Sequence, residues 1–231
     1  MIAAGIAELS FAMRSPERLV FRAGQFVSLA LEPGEAATEA NVLPRRSYSI
    51  ASQSDAGDLL RFIIRVIPEG RASDYLMELP LGGVVNMTGP HGFFVLDPVH
   101  AGDIVFAATG TGVAAVMPML GELALRPPEE RRRITVFWGL RQQADIFARA
   151  EIEALAGAAG AELSVYLTAP GPDWTGGRGR ITAALLDRLP RFSTPTFYLV
   201  GNGAMITELK RELISPGVNR KTQIRTEAFF D

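Results

Sequence analysis

The sequence predicts two structural classes in one chain: a small antiparallel β-barrel over residues 1–98, then a parallel α/β sheet with helices on both faces over residues 99–231. Three observations carry this. Apolar residues recur at every second position in several short runs before residue 98, the pattern of strands buried on one face. After Gly102-Asp103 the strands become continuously apolar and alternate with helical stretches, as a buried parallel sheet requires. The change falls at Asp97-Pro98, where the chain is also punctuated for a turn.

In the first half, Ala7, Leu9, Phe11 and Met13 share one face of a strand, and Val27, Leu29 and Leu31 share one face of another over residues 25–32. Leu60, Phe62, Ile64 and Val66 repeat the pattern, opposite Arg61, Ile63 and Arg65. Pro16, Pro33-Gly34 and Asp55-Ala56-Gly57-Asp58 separate these runs as turns. Residues 84–89 read as a further strand, with a short helix before it over residues 73–79. In the second half, strands are expected at 104–108, 134–140, 163–168, 196–200 and 224–229, and helices over 113–125, 144–158, 181–189 and 203–213.

Composition excludes several function classes. Of 231 residues, 48% are apolar and 21% charged, ample for a buried core, and the net charge of −2 offers no basic patch for nucleic acid. The apolar runs at 104–108 and 113–120 are too short to span a bilayer, and the N-terminus lacks the pattern of a signal peptide. A cytoplasmic location is expected. With no cysteine the chain forms no disulfide, thiol nucleophile or iron–sulfur cluster of its own. Its two histidines, His91 and His100, flank a Pro-containing segment, and no metal site is expected.

The residues that carry chemistry cluster in a few stretches. Arg45-Arg46-Ser47-Tyr48-Ser49-Ile50 puts a cation, an aromatic ring and small hydroxyls on one strand, a kit suited to a planar anionic cofactor such as a flavin. On a regular strand Arg46 and Tyr48 share a face and Ser49 takes the other, so Ser49 reaches the same ligand only by its backbone or where the strand ends. An amphipathic strand with an exposed arginine fits the same residues. Gly70-Arg71-Ala72-Ser73 precedes the short helix; Ser73 is placed to cap it, leaving amides and Arg71 for a pyrophosphate, or the helix is simply capped. Arg65 is a phosphate contact or a solvated charge. Thr109-Gly110-Thr111-Gly112 and Gly201-Asn202-Gly203-Ala204 each follow a buried strand, so both turns lie on the carboxyl edge of the sheet, where open α/β sheets bind ligands. Either turn alone fits a plain strand-to-helix connection equally well. Arg131-Arg132-Arg133 reads as a solvated loop, with docking of an acidic electron carrier as the alternative. Trp138 reads as core and His91 as structural.

Taken in order, these stretches resemble the ferredoxin–NAD(P)H reductase family of flavoproteins, bacterial type, over nearly the whole chain. Gly24-Gln25-Phe26 with Arg46-Ser47-Tyr48-Ser49 is similar to the family's flavin-binding pair, and Gly70-Arg71-Ala72-Ser73-Asp74-Tyr75-Leu76 to its pyrophosphate turn. Gly89-Pro90-His91-Gly92-Phe93-Phe94 resembles the strand leaving the barrel. Gly110-Thr111-Gly112-Val113-Ala114 and Gly201-Asn202-Gly203-Ala204-Met205 resemble the two nicotinamide-side turns, and Glu227-Ala228-Phe229-Phe230 the carboxyl-terminal segment.

The resemblance implies a barrel holding tightly bound, non-covalent FAD, and a Rossmann-like domain holding NAD(P)H as co-substrate. Hydride would pass between NAD(P)H and flavin N5, and single electrons to or from a separate ferredoxin-type iron–sulfur protein. Arg46 would contact the flavin phosphates, Tyr48 stack on the isoalloxazine and Ser49 sit by N5. Phe229 would cover the other ring face, with Glu227 near the hydride-transfer site. Arg65, Gly70, Arg71, Ala72 and Ser73 complete the flavin contacts. Thr109, Gly110, Thr111, Gly112, Arg141, Thr168, Arg178, Arg180, Gly201, Asn202 and Met205 complete those of the coenzyme.

Three departures from the family pattern stand out: Ala115 where proline is frequent, Val200 where several members carry cysteine, and Thr168-Ala169 where NADPH enzymes show Ser-Arg. The missing arginine favours NADH, because a dianionic phosphate needs fixed cations. Two other functions share these features: a reductase using free flavin as substrate, and a non-catalytic nucleotide-sensing module. The oligomeric state is not legible.

Overall fold

The computed structural model describes residues 1–31, 45–98 and 102–229. Five antiparallel strands make the first half: β1 (Ile6–Ala12), β2 (Phe26–Ala30), β3 (Arg45–Ser49), β4 (Leu59–Arg65) and β5 (Met87–His91), with helix α1 (Arg71–Glu78) between β4 and β5. They form a β1–β4 pair and a β3–β2–β5 sheet. Beyond the end of β3 the chain joins the two, the Ala51 amide donating to the Arg61 carbonyl at 2.8 Å. Both sheets close on one core of Ala7, Phe21, Val27, Leu29, Ile50, Leu60, Phe62, Ile64 and Leu76. These are largely the alternating residues of the sequence pattern, so the period-two signal found the inner face of the expected barrel.

Differences in this half have local causes. The expected strand at 84–89 is displaced to Met87–His91, because Pro80–Gly83 closes a turn with the Gly83 amide on the Pro80 carbonyl. Helix α1 starts two residues before Ser73, so Ser73 lies inside it and caps nothing. The Ser73 hydroxyl instead accepts the Ile67 amide at 2.8 Å and ties the helix to the end of β4. The expected turn at Pro33-Gly34, His100, the boundary after residue 98 and Phe230 fall on or beside residues outside the described ones.

The second half is a six-stranded parallel sheet in the order β11-β10-β6-β7-β8-β9. Its strands are β6 (Ile104–Thr109), β7 (Ile134–Leu140), β8 (Ala161–Leu167), the two-residue β9 (Gly177–Arg178), β10 (Thr196–Asn202) and β11 (Ile224–Phe229). The helices are α2 (Val113–Ala124), α3 (Arg149–Ala158), α4 (Ile181–Arg188), α5 (Gly203–Ile214) and the short α6 (Arg220–Gln223). Strand β6 is buried on both faces. Ile104, Phe106 and Ala108 join the core under α2 and α3, while Val105 and Ala107 join the core under α4 and α5. The helix expected from 144 starts only at Arg149, because a 3₁₀ turn at Gln143–Asp145 precedes it and Ala148 sits at φ +44°.

Neighbouring strands β6 and β10 mark the point where strand order reverses, and the crevice at their carboxyl ends is where such sheets bind ligands. The two halves share a core: Ile6, Ala23, Ala51, Ile63, Phe94 and Leu96 pack into the same cluster as α2 and β6. Strand β4 is therefore buried on both sides, its even residues in the barrel and Ile63 in the contact between halves.

Candidate active site

Strand β3 ends at Ser49, and the next residue, Ile50, turns wholly into the barrel core. Across the pairing with β2, Tyr48 lies opposite Val27 and Ser49 opposite Phe26. Paired residues share a face, so Tyr48 leans on the barrel core while the Ser49 hydroxyl leaves by the other side. There it donates to Glu227 Oε1 at 2.6 Å, across 178 residues of sequence. Burial raises the Glu227 carboxyl to about 7, with the Ser49 hydrogen bond acting to lower it. A carboxyl near 7 exchanges a proton under ordinary conditions, the property expected of an acid or base at a reacting centre.

This pair has a fitted floor. Gly92 has φ +97°, and a Cβ there would stand 3.0 Å from the Phe26 ring and 3.6 Å from Glu227 Oε2. The Gln25 side chain holds the Gly92 carbonyl at 3.2 Å, and the His91 ring lies tilted on Phe26 at 5.7 Å. Gln25 and Phe26 thus gain a role in the site that the sequence motif Gly24-Gln25-Phe26 signalled only as a family likeness. Glu227 and Phe229 follow from β11, where Val200 pairs with Glu227 and Asn202 with Phe229.

The residues suited to an anionic planar cofactor are accessible. Arg46 is exposed, and its guanidinium donates only to the Arg45 carbonyl, at 2.9 Å, among the described residues. Tyr48 is half-buried; burial raises its hydroxyl pKa and the nearby Arg46 charge opposes the rise. Helix α1 has Gly70 at its N-cap and no side-chain cap, and a helix start of this kind favours an anion. A cation, an aromatic ring and a helix start without a side-chain cap fit the phosphate and ring of a flavin dinucleotide.

At the carboxyl edge of the parallel sheet, a cavity of about 340 Å³ brings together seven of the residues expected at the coenzyme and one, Arg65, expected at the flavin. These are Arg65, Thr109, Gly110, Arg141, Thr168, Arg180, Asn202 and Met205. Arg65, expected among the flavin contacts, is the unexpected member, reaching from β4 of the first half to the sheet's cavity. The two glycine turns touch: the Asn202 amide donates to Thr109 Oγ1 at 2.8 Å, and Asn202 caps α5 by accepting the Met205 amide at 3.1 Å. Gly201 permits this contact, since a Cβ there would lie 2.5 Å from Thr109 Oγ1. Gly112 lies under the same junction, its missing Cβ 3.0 Å from the Val200 carbonyl oxygen.

Arg178 is not among the cavity residues. Its Nη2 donates to the carbonyls of Gly171, Pro172 and Trp174, so it braces the 171–174 loop instead of facing a phosphate. Arg180 lines the cavity and pairs with Glu208 at 2.9 Å. Sequence reasoning missed Gly139, Asp145, Gly179 and Thr182 on the cavity wall. Position at the carboxyl ends of β7 and β9 is the signal that would have found them. The Arg131–Arg133 run precedes β7 at the opposite edge of the sheet, roughly 20 Å from the turns by strand length. A second cavity of the same volume lies along β8 and α3, lined by Arg149, Glu153, Tyr166 and Trp174, and holds none of the expected residues.

Comparison with known proteins accounts for this arrangement. The family model described as an oxidoreductase FAD-binding domain matches residues 1–96, and that described as an oxidoreductase NAD-binding domain matches residues 106–211. Ferredoxin–NADP reductase B of Sorangium cellulosum is 35% identical over 180 residues, covering 77% of this chain and 70% of that protein. The chain belongs to the ferredoxin–NAD(P) reductase family. Its members named as reductase components are also similar: the phenol 2-monooxygenase reductase component DmpP of a Pseudomonas species is 32% identical over 195 residues. That match covers 80% of this chain but 51% of the relative, so the chain spans about half of that protein's length. Among solved structures, the Amycolatopsis cytochrome P450 reductase GcoB superposes with a TM-score of 0.82 at 26% identity, over 99% of this chain and 66% of that one. The protein is thus an oxidoreductase that binds FAD and NAD(P), moving electrons from NAD(P)H through FAD. Among the described residues, no helix is long and apolar enough to cross a membrane.

Proposed function

We propose that this reductase passes electrons singly between FAD and a separate ferredoxin or similar iron–sulfur carrier, with residues 1–98 holding FAD and residues 99–231 holding NAD(P)H. The contact that carries the reading is the 2.6 Å hydrogen bond from Ser49 to Glu227, which joins the R-x-Y-S strand of one half to the last strand of the other. FAD, when bound, supplies a two-electron acceptor able to release electrons one at a time. The chain's part is to bind, orient and manage one proton. Arg46 and the start of α1, with Gly70, Arg71 and Ala72, hold the pyrophosphate side, and Tyr48 offers its ring. Ser49 and Glu227 keep a protonatable carboxyl where the nicotinamide must enter. Phe229, half-buried beside Asn202, covers that entry. Arg141, Arg180 and Arg65 receive the coenzyme's phosphates, with Thr168 at the adenosine side.

The lack of cysteine supports a partner on another chain, since this one has no thiolates for a cluster. Thr168-Ala169 in place of a fixed cation supports NADH over NADPH, although Arg180 and Arg141 leave the cavity cationic. Mixing the yellow protein with NADH and a [2Fe–2S] ferredoxin should bleach the ferredoxin's visible band. Bleaching of ferricyanide but not of ferredoxin would remove the carrier assignment and leave the coenzyme half intact. Arg46→Ala should emerge from purification with FAD occupancy reduced by about tenfold, the worth of one charge-assisted hydrogen bond. Full occupancy in that variant would take Arg46 out of the phosphate role. A colourless protein that loses flavin on desalting would favour the free-flavin reductase.

A further inference from the structure

We propose that Trp138 is a positioning residue for the coenzyme, fixing through the Gly110 carbonyl which way the Gly110–Thr111 peptide faces. The inference rests on the assignment of the carboxyl-edge cavity to NAD(P)H.

Trp138 is fully buried, packed edge-on against Phe147 with ring centroids 5.2 Å apart. Phe106, in the same core, fills a comparable site with no polar atom. An indole N–H in such a place costs stability unless it finds an acceptor. It finds one in the Gly110 carbonyl, at 3.0 Å. Gly110 lines the cavity together with Thr109 of the same turn, and it stands at φ +56° with open space where a Cβ would be.

The peptide between Gly110 and Thr111 is planar and trans, so its C=O and N–H point in opposite directions. With the carbonyl drawn inward to the indole, the Thr111 N–H is turned away from the core. Thr111 lies in the first turn of the Gly110–Gly112 3₁₀ segment, where amides have no helical partner. That N–H is therefore available to an anion. Glycine crosses between left- and right-handed backbone readily, so at this first residue of the 3₁₀ segment the indole adds a restraint against rotation of the peptide that a side chain would otherwise supply. A rotated peptide would present a carbonyl oxygen to the coenzyme's phosphate and repel it. The second link, Asn202 N–H to Thr109 Oγ1, holds the neighbouring turn still but does not act on this peptide. One buried N–H thus strengthens the orientation in which the turn attracts the coenzyme.

Trp138→Phe keeps the ring and deletes the N–H. KM for NADH should rise about 5- to 30-fold, the worth of one such hydrogen bond, while kcat at saturation and FAD content stay within about twofold. An unchanged KM in a folded, yellow variant overturns the proposal. So does an unchanged KM accompanied by lower thermal stability, which would make Trp138 packing alone. Should the variant fail to fold, the wild-type protein still answers. It contains two tryptophans, hence two indole N–H signals in a ¹H–¹⁵N spectrum, assigned by Trp174→Phe. Titration with NAD⁺ should shift the Trp138 signal and slow its solvent exchange. A Trp138 signal unmoved at saturating NAD⁺ overturns the proposal. If the wild type neither binds NAD⁺ nor is reduced by either coenzyme, the cavity's assignment falls, and this inference with it.

Discussion

Glu227 is the residue whose environment makes the sharpest claim. Its carboxyl is raised from 4.5 to about 7 by burial, so ionising it costs the folded state more than the unfolded one. The stability this group contributes is complete below about 4.5 and is lost as pH rises through about 7. Glu227→Gln should therefore gain on the wild type across that window, by about 3 kcal/mol at most above pH 7, measured by urea unfolding at several pH values. A stability difference independent of pH would place the carboxyl in water. Flavin reduction by coenzyme should show a transition near pH 7 in the wild type and none in Glu227→Gln. In Ser49→Ala the transition should move upward, because the hydrogen bond that lowers this pKa is gone; a transition that stays in place would deny the coupling. The resemblance placed Ser49 by flavin N5 and Glu227 near the hydride-transfer site, but their direct contact was not legible at residue level. The sequence motif put Ser49 and Glu227 in one family pattern, but their contact spans 178 residues and depends on how the halves pack. Ser73 and Arg178 show the converse: each has the composition expected of a phosphate contact, yet one is spent on the Ile67 amide and the other on loop carbonyls.

At the scale of elements, strands were read well and turns less so. Alternation identified the inward residues of β1, β2 and β4, because burial on one face imposes a period of two regardless of distant contacts. The limits of α1 and α3 were missed, since a Gly start and an Ala at φ +44° leave no capping signature to read. The two glycine turns were legible as a pair, and their direct contact explains why glycine is needed. Gly201→Ala would place a methyl group 2.5 Å from Thr109 Oγ1 at φ +110°. That should cost about 1–3 kcal/mol of strain and weaken coenzyme binding by tenfold or more, with FAD content unchanged. Wild-type KM values in that variant would mean that the turns need not touch. Phe229→Ala should alter the ratio of kcat/KM for NADH and NADPH; identical ratios would show that the ring is not the cover of the nicotinamide site.

The whole molecule is held across its two halves by a shared core and by Arg61, which pairs with Glu8 at 2.8 Å and with Glu151 on α3. The Glu151 hydrogen bond raises the pKa of Arg61, the mark of a cation held in place by its partner. Arg61→Ala should lower unfolding stability by about 1–3 kcal/mol, and an unchanged urea midpoint would reduce these pairs to surface ornament. This contact matters for function because Ser49 and Glu227 meet only when the barrel and the sheet keep their relative position. The sequence could announce two classes of structure in succession, but not that Ile63 and Arg61, on the strand face opposite Leu60, Phe62 and Ile64, form the seam between them. The central claim is that coenzyme bound at the carboxyl edge reduces a flavin held by the β3 strand. Anaerobic mixing of the yellow protein with NADH, and separately with NADPH, measures it directly. The flavin absorption should bleach with at least one coenzyme, faster with NADH. No bleaching with either would contradict the account.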